Sequence, residues 1–280
     1  MPSLKEVKAR ILSVESTKKI TQARQMISSA RLHQSQGILE KAQAYSRALE
    51  SVVASLVDVE KPFASALAEQ HEGNTVAVVI MSSNSGMCGA FNAKIVKELP
   101  NIVKKHSGKQ LVFYPIGKKI REALTEAGYK IQGNFDSLAG RTTFRDVVKL
   151  TGELMSLYAS KKVSKVDLVY FHNKSTASQV IVHHDFMPYA LPKVRSHADC
   201  IFEPSRELVQ ERVLPQMLKA QLYTAVMDNQ TSEHTARTLA MQLATENADD
   251  MLDDLRLSYN KLRQQNITSE LLDIIGGSFA

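Results

Sequence analysis

The sequence predicts an α+β protein: a long antiparallel coiled coil of N- and C-terminal helices, with a small, mainly parallel α/β domain inserted between them. Three observations carry this. From Gln216 to Ile275 there is no glycine and no proline. At about 1.5 Å of rise per residue, one helix of that length reaches roughly 90 Å, too long to fold back into its own core, so it needs a partner alongside. The stretch before Pro62 reads the same way, with Gly37 its only glycine, whereas most glycines lie between Gly73 and Gly152 among short β-branched runs.

The first helix is expected from Ser3 to about Val59. Ser3 can cap it, with Glu6 at the capping-box position. Leu4, Val7, Ile11 and Val14 follow at three- and four-residue steps, and the stripe continues through Ile20, Ala23, Ile27 and Ala30, then Leu32, Ile38 and Leu39. Ser28, Ser29 and Ala30 would let a partner helix come close. Gly37 costs roughly 1 kcal/mol in a helix interior without ending it. Pro62 ends the helix.

In the middle, Val76 to Met81 is a continuous apolar run, as a buried parallel strand requires. A polar loop, Ser82 to Gly89, leads into a helix from about Ala90 to Lys105. Leu111 to Ile116 reads as the next strand, Lys118 to Ala127 as a helix closed by Gly128, and Thr143 to Ser160 as a further helix with a wide apolar face. Asp167 to His172 and Gln179 to His184 read as two strands with no helix between them, hence an antiparallel edge pair. Strands alternating with helices make this a Rossmann-like unit. The expected division is 1–61 with 206–280 for the helical part and 73–205 for the α/β domain.

Arg206 opens the last helical region, and Pro215 sits in its first turn or marks a kink. Within it Met241, Ala244, Ala248, Met251, Leu255 and Leu262 fall on an a/d heptad seam, with Ser258 in the polar slot and Tyr259 beside it. After Leu262 the heptad lapses. The tail carries Ile267, Leu271, Leu272, Ile274 and Ile275 and ends at Gly276-Gly277, an apolar tip that no later residue can cover. Such a tip marks a partner surface; the alternative is that it folds against the α/β domain.

Composition bounds the function. The net charge is +6, with 44% hydrophobic and 23% charged residues. No apolar run approaches the roughly 18 residues that span a bilayer, and the start has no signal-peptide core. Cys88 and Cys200 stand far apart with no metal spacing, so reduced thiols are expected. Residues 1–36 carry seven basic and two acidic residues, and residues 206–280 seven basic against eleven acidic; the two ends are suited to pairing. Nucleic-acid binding is disfavoured, because no aromatic residue lies among Lys5, Lys8, Arg10, Lys18, Lys19, Arg24 and Arg31 to stack on bases.

Catalytic readings are weak. Ser85-Gly86-Met87-Cys88-Gly89 stands between a strand and a helix, where a phosphate loop belongs, but has neither G-x-G-x-x-G nor G-K-[ST]. A tight turn is the simpler reading. Cys88 has no histidine nearby in sequence. His183 and His184 adjoin on a strand and point to opposite faces. Asp249-Asp250 and Asp253-Asp254 form a solvated face of a heptad helix. No constellation for acid–base or nucleophilic catalysis appears, and no metal or cofactor is expected.

Several stretches resemble the gamma subunit of the F-type ATP synthase. S-T-K-K-I-T-Q-A-R-Q-M-I-S-S-A-R-L, Ser16 to Leu32, is similar to that family's opening helix. S-S-N-S-G-M-C-G-A-F-N, Ser82 to Asn92, resembles its strand–loop–helix. S-E-H-T-A-R-T-L-A-M from Ser232, E-N-A-D-D-M from Glu246, and Y-N-K-L-R-Q-Q-N-I-T-S-E-L-L-D-I-I-G-G from Tyr259 to Gly277 form the most specific block. The chain departs from the family at Arg24 (usually methionine), Asn84 (aspartate), Met87 (leucine) and Ser278 (alanine). Arg24 bears on the electrostatics of one contact, not on the family. No cysteine-bearing insertion of the chloroplast kind is present.

The resemblance implies a non-catalytic central rotor shaft, one copy per complex, peripheral on the cytoplasmic face of the bacterial inner membrane. Its terminal helices would turn inside a ring of alpha and beta subunits. Its α/β domain would form a foot with the epsilon subunit and the c ring, and proton or sodium flow would turn both. Ile267, Leu271, Ile274 and Ile275 would sit in an apolar sleeve. Arg263 and Gln264 match the pair that touches a beta-subunit loop, Lys18, Lys19 and Arg24 would face acidic beta residues, and Phe202 and Glu203 would lie near the c ring. Readings from other classes are a nucleotide-binding enzyme using the Ser82–Gly89 loop, and a coiled-coil scaffold or nucleic-acid binder.

Overall fold

The computed structural model describes residues 3–57, 65–140, 142–176, 178–191, 202–203 and 205–278. The elements run α1 (Leu4–Leu56), β1 (Thr75–Met81), α2 (Phe91–Lys105), β2 (Gln110–Ile116), α3 (Lys118–Glu126), a 3-10 turn (Asp136–Ala139), α4 (Phe144–Ala159), β3 (Lys165–Ser175), β4 (Ser178–Met187) and α5 (Arg206–Ser278). Cys200 and the expected helix stop at Pro62 lie outside the described residues. The chain divides into two compact units, Met1–Ser29 with Arg237–Ala280, and Ala30–Ala236. Both long helices contribute to both units.

In the larger unit the sheet order is β2-β1-β3-β4. β1 pairs in parallel with β2, from Thr75↔Gln110 to Met81↔Ile116, and with β3, from Val76↔Lys165 to Ile80↔Val169. β3 and β4 form the antiparallel edge pair. β1 is buried on both faces, which is why it reads as an unbroken apolar run. Val76, Val78 and Ile80 meet Phe91, Ile95, Ile102, Ile120 and Leu124 of α2 and α3. Ala77, Val79 and Met81 belong to the opposite core, with Val147, Leu150, Leu154 and Tyr158 of α4, Val53 of α1, and Leu214, Met217, Leu218 and Leu222 of α5. The sheet is thus held between α2 and α3 on one side and α4, α1 and α5 on the other.

Helix starts follow local chemistry. At α1 the Glu6 amide donates to Ser3 Oγ at 3.3 Å and the Ser3 amide to Glu6 Oε2 at 2.8 Å, the expected capping box. α4 has the same device in Thr143 and Asp146. The end of α1 is capped by side chains distant in sequence: Arg206 Nη2 and Gln210 Nε2 donate to the Leu56 carbonyl at 2.7 and 3.2 Å. Those donors satisfy a carbonyl that the helix itself leaves open. With Gln216 Nε2 donating to Tyr45 Oη at 3.3 Å, the contacts show α1 and α5 antiparallel in this unit.

Three details differ from the sequence reading. α5 starts at Arg206, so Pro215 lies inside the helix beyond its first turn. It runs through Gly276-Gly277 to Ser278 rather than stopping there. β3 and β4 are longer than expected, because their pairing runs from Val166↔Met187, where Val166, Phe186 and Met187 are buried in the core, to the exposed Ser175↔Ser178 end.

Candidate partner surfaces

In the smaller unit α1 and α5 are antiparallel: Glu15 meets Arg256, Lys18 meets Asp249, and Thr21 meets Thr245. The seam of α1 steps through Leu4, Val7, Ile11, Val14, Lys18, Thr21, Gln25 and Ser28, and in the larger unit through Leu32, Ser35, Leu39, Ala42, Ser46, Leu49, Val53 and Leu56. Within each unit these positions keep the seven-residue repeat of a coiled-coil seam.

That seam corrects the expectation for Ile20, Ala23, Ile27 and Ala30. All four are exposed, Ile20 at 56% and Ile27 at 55%. Ile20 and Ile27 keep the seven-residue repeat, but stand two residues past the seam positions Lys18 and Gln25. Two residues are about 200° around a helix, so these isoleucines occupy the far side. Met26 lies close by and is 74% exposed.

On α5 the seam keeps the expected Met241, Ala248, Leu255 and Leu262 and moves by one residue at the alternate positions. It runs Met241, Thr245, Ala248, Leu252, Leu255, Tyr259 and Leu262. Leu252 is 3% exposed and Met251 47%. Tyr259, not Ser258, turns inward. The second change buries an aromatic side chain in place of a serine, which is the favourable choice. Thr245 enters the seam with its hydroxyl satisfied, 2.8 Å from that of Thr21. Asp249 is taken up by Lys18, and Arg256 reaches both Asp253 and Glu15 at 3.5 and 3.4 Å. Polar layers of this kind specify register in coiled coils.

The residues singled out from sequence fall into three places. Arg263, Gln264, Ile267, Leu271, Ile274 and Ile275 lie in the last turns of α5 and are exposed, as is Leu272. Lys19 and Arg24 are exposed on α1, whereas Lys18 is half-buried against Asp249. In the larger unit Phe202 is half-buried under the Arg206 guanidinium, 5.8 Å from ring centre to Cζ, and Glu203 is exposed. The structure therefore does not gather Lys18, Lys19 and Arg24 into one outward basic set. The outward apolar band of Leu12, Ile20, Met26 and Ile27, with Leu243, Met251 and Leu257 on α5, was missed by the sequence reading.

The residues weighed for chemistry serve the fold. Ser82 Oγ accepts from the Ile120 amide at 3.0 Å, Asn84 Oδ1 from the Lys118 amide at 2.9 Å, and Asn84 Nδ2 donates to the Asp136 carbonyl at 2.8 Å. Asn92 Oδ1 accepts from the Ser83 amide and hydroxyl. The loop is a braced turn between β1 and α2. Cys88 is buried beside Ser83 and Asn92. His183 Nε2 lies 3.0 Å from Glu98 Oε1, while burial lowers the pKa of His184. Beside His184, Asp185 and its cross-strand neighbour Asp167 share Lys105 and Lys165, and His106 bonds Asp167 at 2.9 Å. Among the described residues, no three His, Cys, Asp or Glu side chains come together to hold a metal ion.

A protein-family model described as ATP synthase matches residues 3–280. The ATP synthase gamma chain of Phocaeicola vulgatus is 38% identical over 289 aligned residues, covering 100% of both chains. That of Parabacteroides distasonis is 40% identical over 283 residues, covering 99% of each. That of Flavobacterium johnsoniae is 37% identical over 284, covering 100% of this chain and 99% of the other. Among solved structures, a chain of the Euglena gracilis mitochondrial ATP synthase (OSCP/F1/c-ring) superposes with a TM-score of 0.65 at 17% identity, covering 99% of this chain and 93% of that one. A chain of the Tetrahymena thermophila central stalk and c-ring gives 0.58 at 19% identity, covering 80% and 99%. The likeness in fold matches the paired long helices and the four-stranded sheet, and the sequence matches run end to end, so the chain belongs to the ATP synthase gamma chain family.

Proposed function

We propose that this chain is the central rotor shaft of an F-type ATP synthase, coupling proton or sodium flow through a membrane ring to ATP synthesis or hydrolysis in an alpha–beta ring. The observation that carries the reading is an antiparallel coiled coil that carries large apolar side chains on its outer surface: Ile20, Met26, Ile27, Leu243, Met251 and Leu257 are exposed, and the tip adds Ile267, Leu271 and Ile274. Exposed apolar groups in such number mark a surface that a partner covers. A sleeve without fixed ion pairs would let the tip turn.

On this reading residues 1–61 with 206–280 are the shaft, and 73–205 the foot that meets the epsilon subunit and the c ring through Phe202 and Glu203. Arg263 and Gln264 touch a beta-subunit loop. Lys19 and Arg24 face acidic beta residues, with Lys18 sharing its charge with Asp249. The chain supplies no catalytic group. A single shaft inside a ring of otherwise equivalent beta subunits meets each one differently, and so biases each toward a different nucleotide affinity; this is coupling by differential contact with conformational states. Among the described residues no helix is long and apolar enough to cross a membrane. The hold on the membrane runs through the c ring, on the cytoplasmic face of the bacterial inner membrane.

The test is reconstitution with cognate alpha and beta subunits. One copy of this chain per three alpha–beta pairs, with ATP hydrolysis dependent on its presence, supports the rotor. Failure to assemble with them overturns it.

A further inference from the structure

The ladder between β1 and β3 ends at Ile80↔Val169, where β1 runs into the Ser82 loop. β3 continues to Ser175. β4 pairs with one edge of this overhang. The other edge has lost its strand, and the backbone groups there need partners. One turn of α5 supplies them. The Phe171 amide donates to Asn229 Oδ1 at 3.2 Å, and Ser232 Oγ donates to the Phe171 carbonyl at 3.1 Å. The Asn173 amide donates to Asp228 Oδ1 at 3.0 Å, while Asp228 Oδ2 lies 2.6 Å from His172 Nδ1. Asp228, Asn229 and Ser232 are all buried. Between them Gln230 Nε2 donates to the Leu138 carbonyl at 2.9 Å and to Thr142 Oγ1 at 2.7 Å.

From Leu214 to Val226 α5 contributes apolar side chains to this core, and its polar bonds before this turn go to α1 rather than to the sheet, as from Arg206 and Gln210 to the Leu56 carbonyl. Apolar contact is non-directional, so it presses a helix onto a sheet while resisting rotation about the helix axis only weakly. Hydrogen bonds are directional, and a buried group that loses its partner keeps the full desolvation cost. A strand backbone bonded to Asp228, Asn229 and Ser232 therefore adds a directional constraint on the rotation and the axial position of α5 on the sheet.

We propose that Asp228, Asn229 and Ser232 form the torque-bearing joint of this rotor, the point at which rotation of the α/β domain is handed to α5. They act as positioning residues, and the proposal rests on the rotor reading above. The joint has no bearing on nucleotide chemistry, so loosening it separates hydrolysis from ion transport.

The test uses the complete ATP synthase in sealed vesicles, with ATP hydrolysis and ATP-driven ion pumping measured on the same preparation. For Asn229→Leu with Ser232→Ala, hydrolysis stays within about twofold of the unaltered complex, while ions pumped per ATP fall by about threefold or more. The deficit deepens as the opposing ion gradient rises, and Ser232→Thr, which keeps the hydroxyl, pumps normally. Leu222→Ala, a cavity in the same core, lowers the melting temperature without changing the pumping ratio. An unchanged ratio in an assembled double variant overturns the joint, as does an equal loss in Leu222→Ala. If the double variant does not assemble, Ser232→Ala alone decides by the same criterion. An unaltered complex that neither assembles nor pumps overturns the rotor reading itself, which is a distinct result.

Discussion

Leu252→Ala and Met251→Ala test the phase of the seam directly. The two residues are neighbours, similar in size and equally apolar, yet one is 3% exposed and the other 47%. Truncating a buried leucine typically costs about 2–5 kcal/mol, the lower end applying where the site can relax. A two-helix seam has solvent on both flanks and relaxes readily, so Leu252→Ala is expected to cost about 2 kcal/mol. Met251→Ala removes a half-exposed side chain and is expected to stay within about 0.5 kcal/mol. The assay is native-state hydrogen exchange of the amides from Arg237 to Leu262, which reads opening of this unit without global unfolding. In Leu252→Ala those amides open about 30-fold more often, and in Met251→Ala about twofold or less. Equal effects, or a larger one at Met251, would refute the phase and restore the seam expected from sequence. In the assembled complex the order reverses, since Met251 lies on the outer surface: Met251→Ser weakens assembly while leaving exchange unchanged.

Ile20→Ser with Ile27→Ser is expected to leave the melting temperature of the chain unchanged and to reduce its capture by an alpha–beta ring; a lowered melting temperature would return these residues to the seam. Arg263→Ala is expected to lower coupling without altering chain stability, and unchanged hydrolysis with unchanged coupling would argue against its contact role. Gly117 has φ +109, and a Cβ there would stand 2.6 Å from the Ser82 carbonyl oxygen; Gly117→Ala is therefore expected to cost more than about 1 kcal/mol in urea unfolding. Burial lowers the pKa of His106 against the pull of Asp167, and that of His184 against Asp185. Histidines with depressed values stay neutral in the folded chain while the unfolded chain takes up protons, so stability falls as pH drops through about 6.5 and below. Burial also opposes ionisation of Asp185, but Lys165 and Lys105 outweigh it and hold its pKa at about 2; that contribution is present above about 4 and is lost as pH falls toward 2. His106→Asn is expected to flatten the fall in the urea midpoint between about pH 7 and 5, and an unaltered slope would remove His106 from this account.

Much of the fold was legible because it is written in local terms. The Ser3–Glu6 cap, the unbroken Val76–Met81 strand, the helix closed by Gly128 and the antiparallel pairing of the last two strands each depend on a few adjacent residues. The block from Ser232 to Gly277 carried the family in the same way. The outer band was not legible, because Ile20 and Ile27 satisfy the same seven-residue period as the seam. Period alone does not say which of two faces meets the partner.

The sequence by itself therefore determined the element types, their order, the pairing of the two chain ends and the family. Spacing and composition are local properties, and they suffice for these. Only the tertiary structure decided that Lys18 turns inward to Asp249 while Ile20 turns out, that Leu252 rather than Met251 fills the seam, and that Asp228, Asn229 and Ser232 serve the edge of β3. Each of these depends on what stands opposite a side chain after residues hundreds of positions or tens of positions apart have been brought together. A polar run such as 228–232 reads as a solvated helix face until the strand whose backbone it completes is in place.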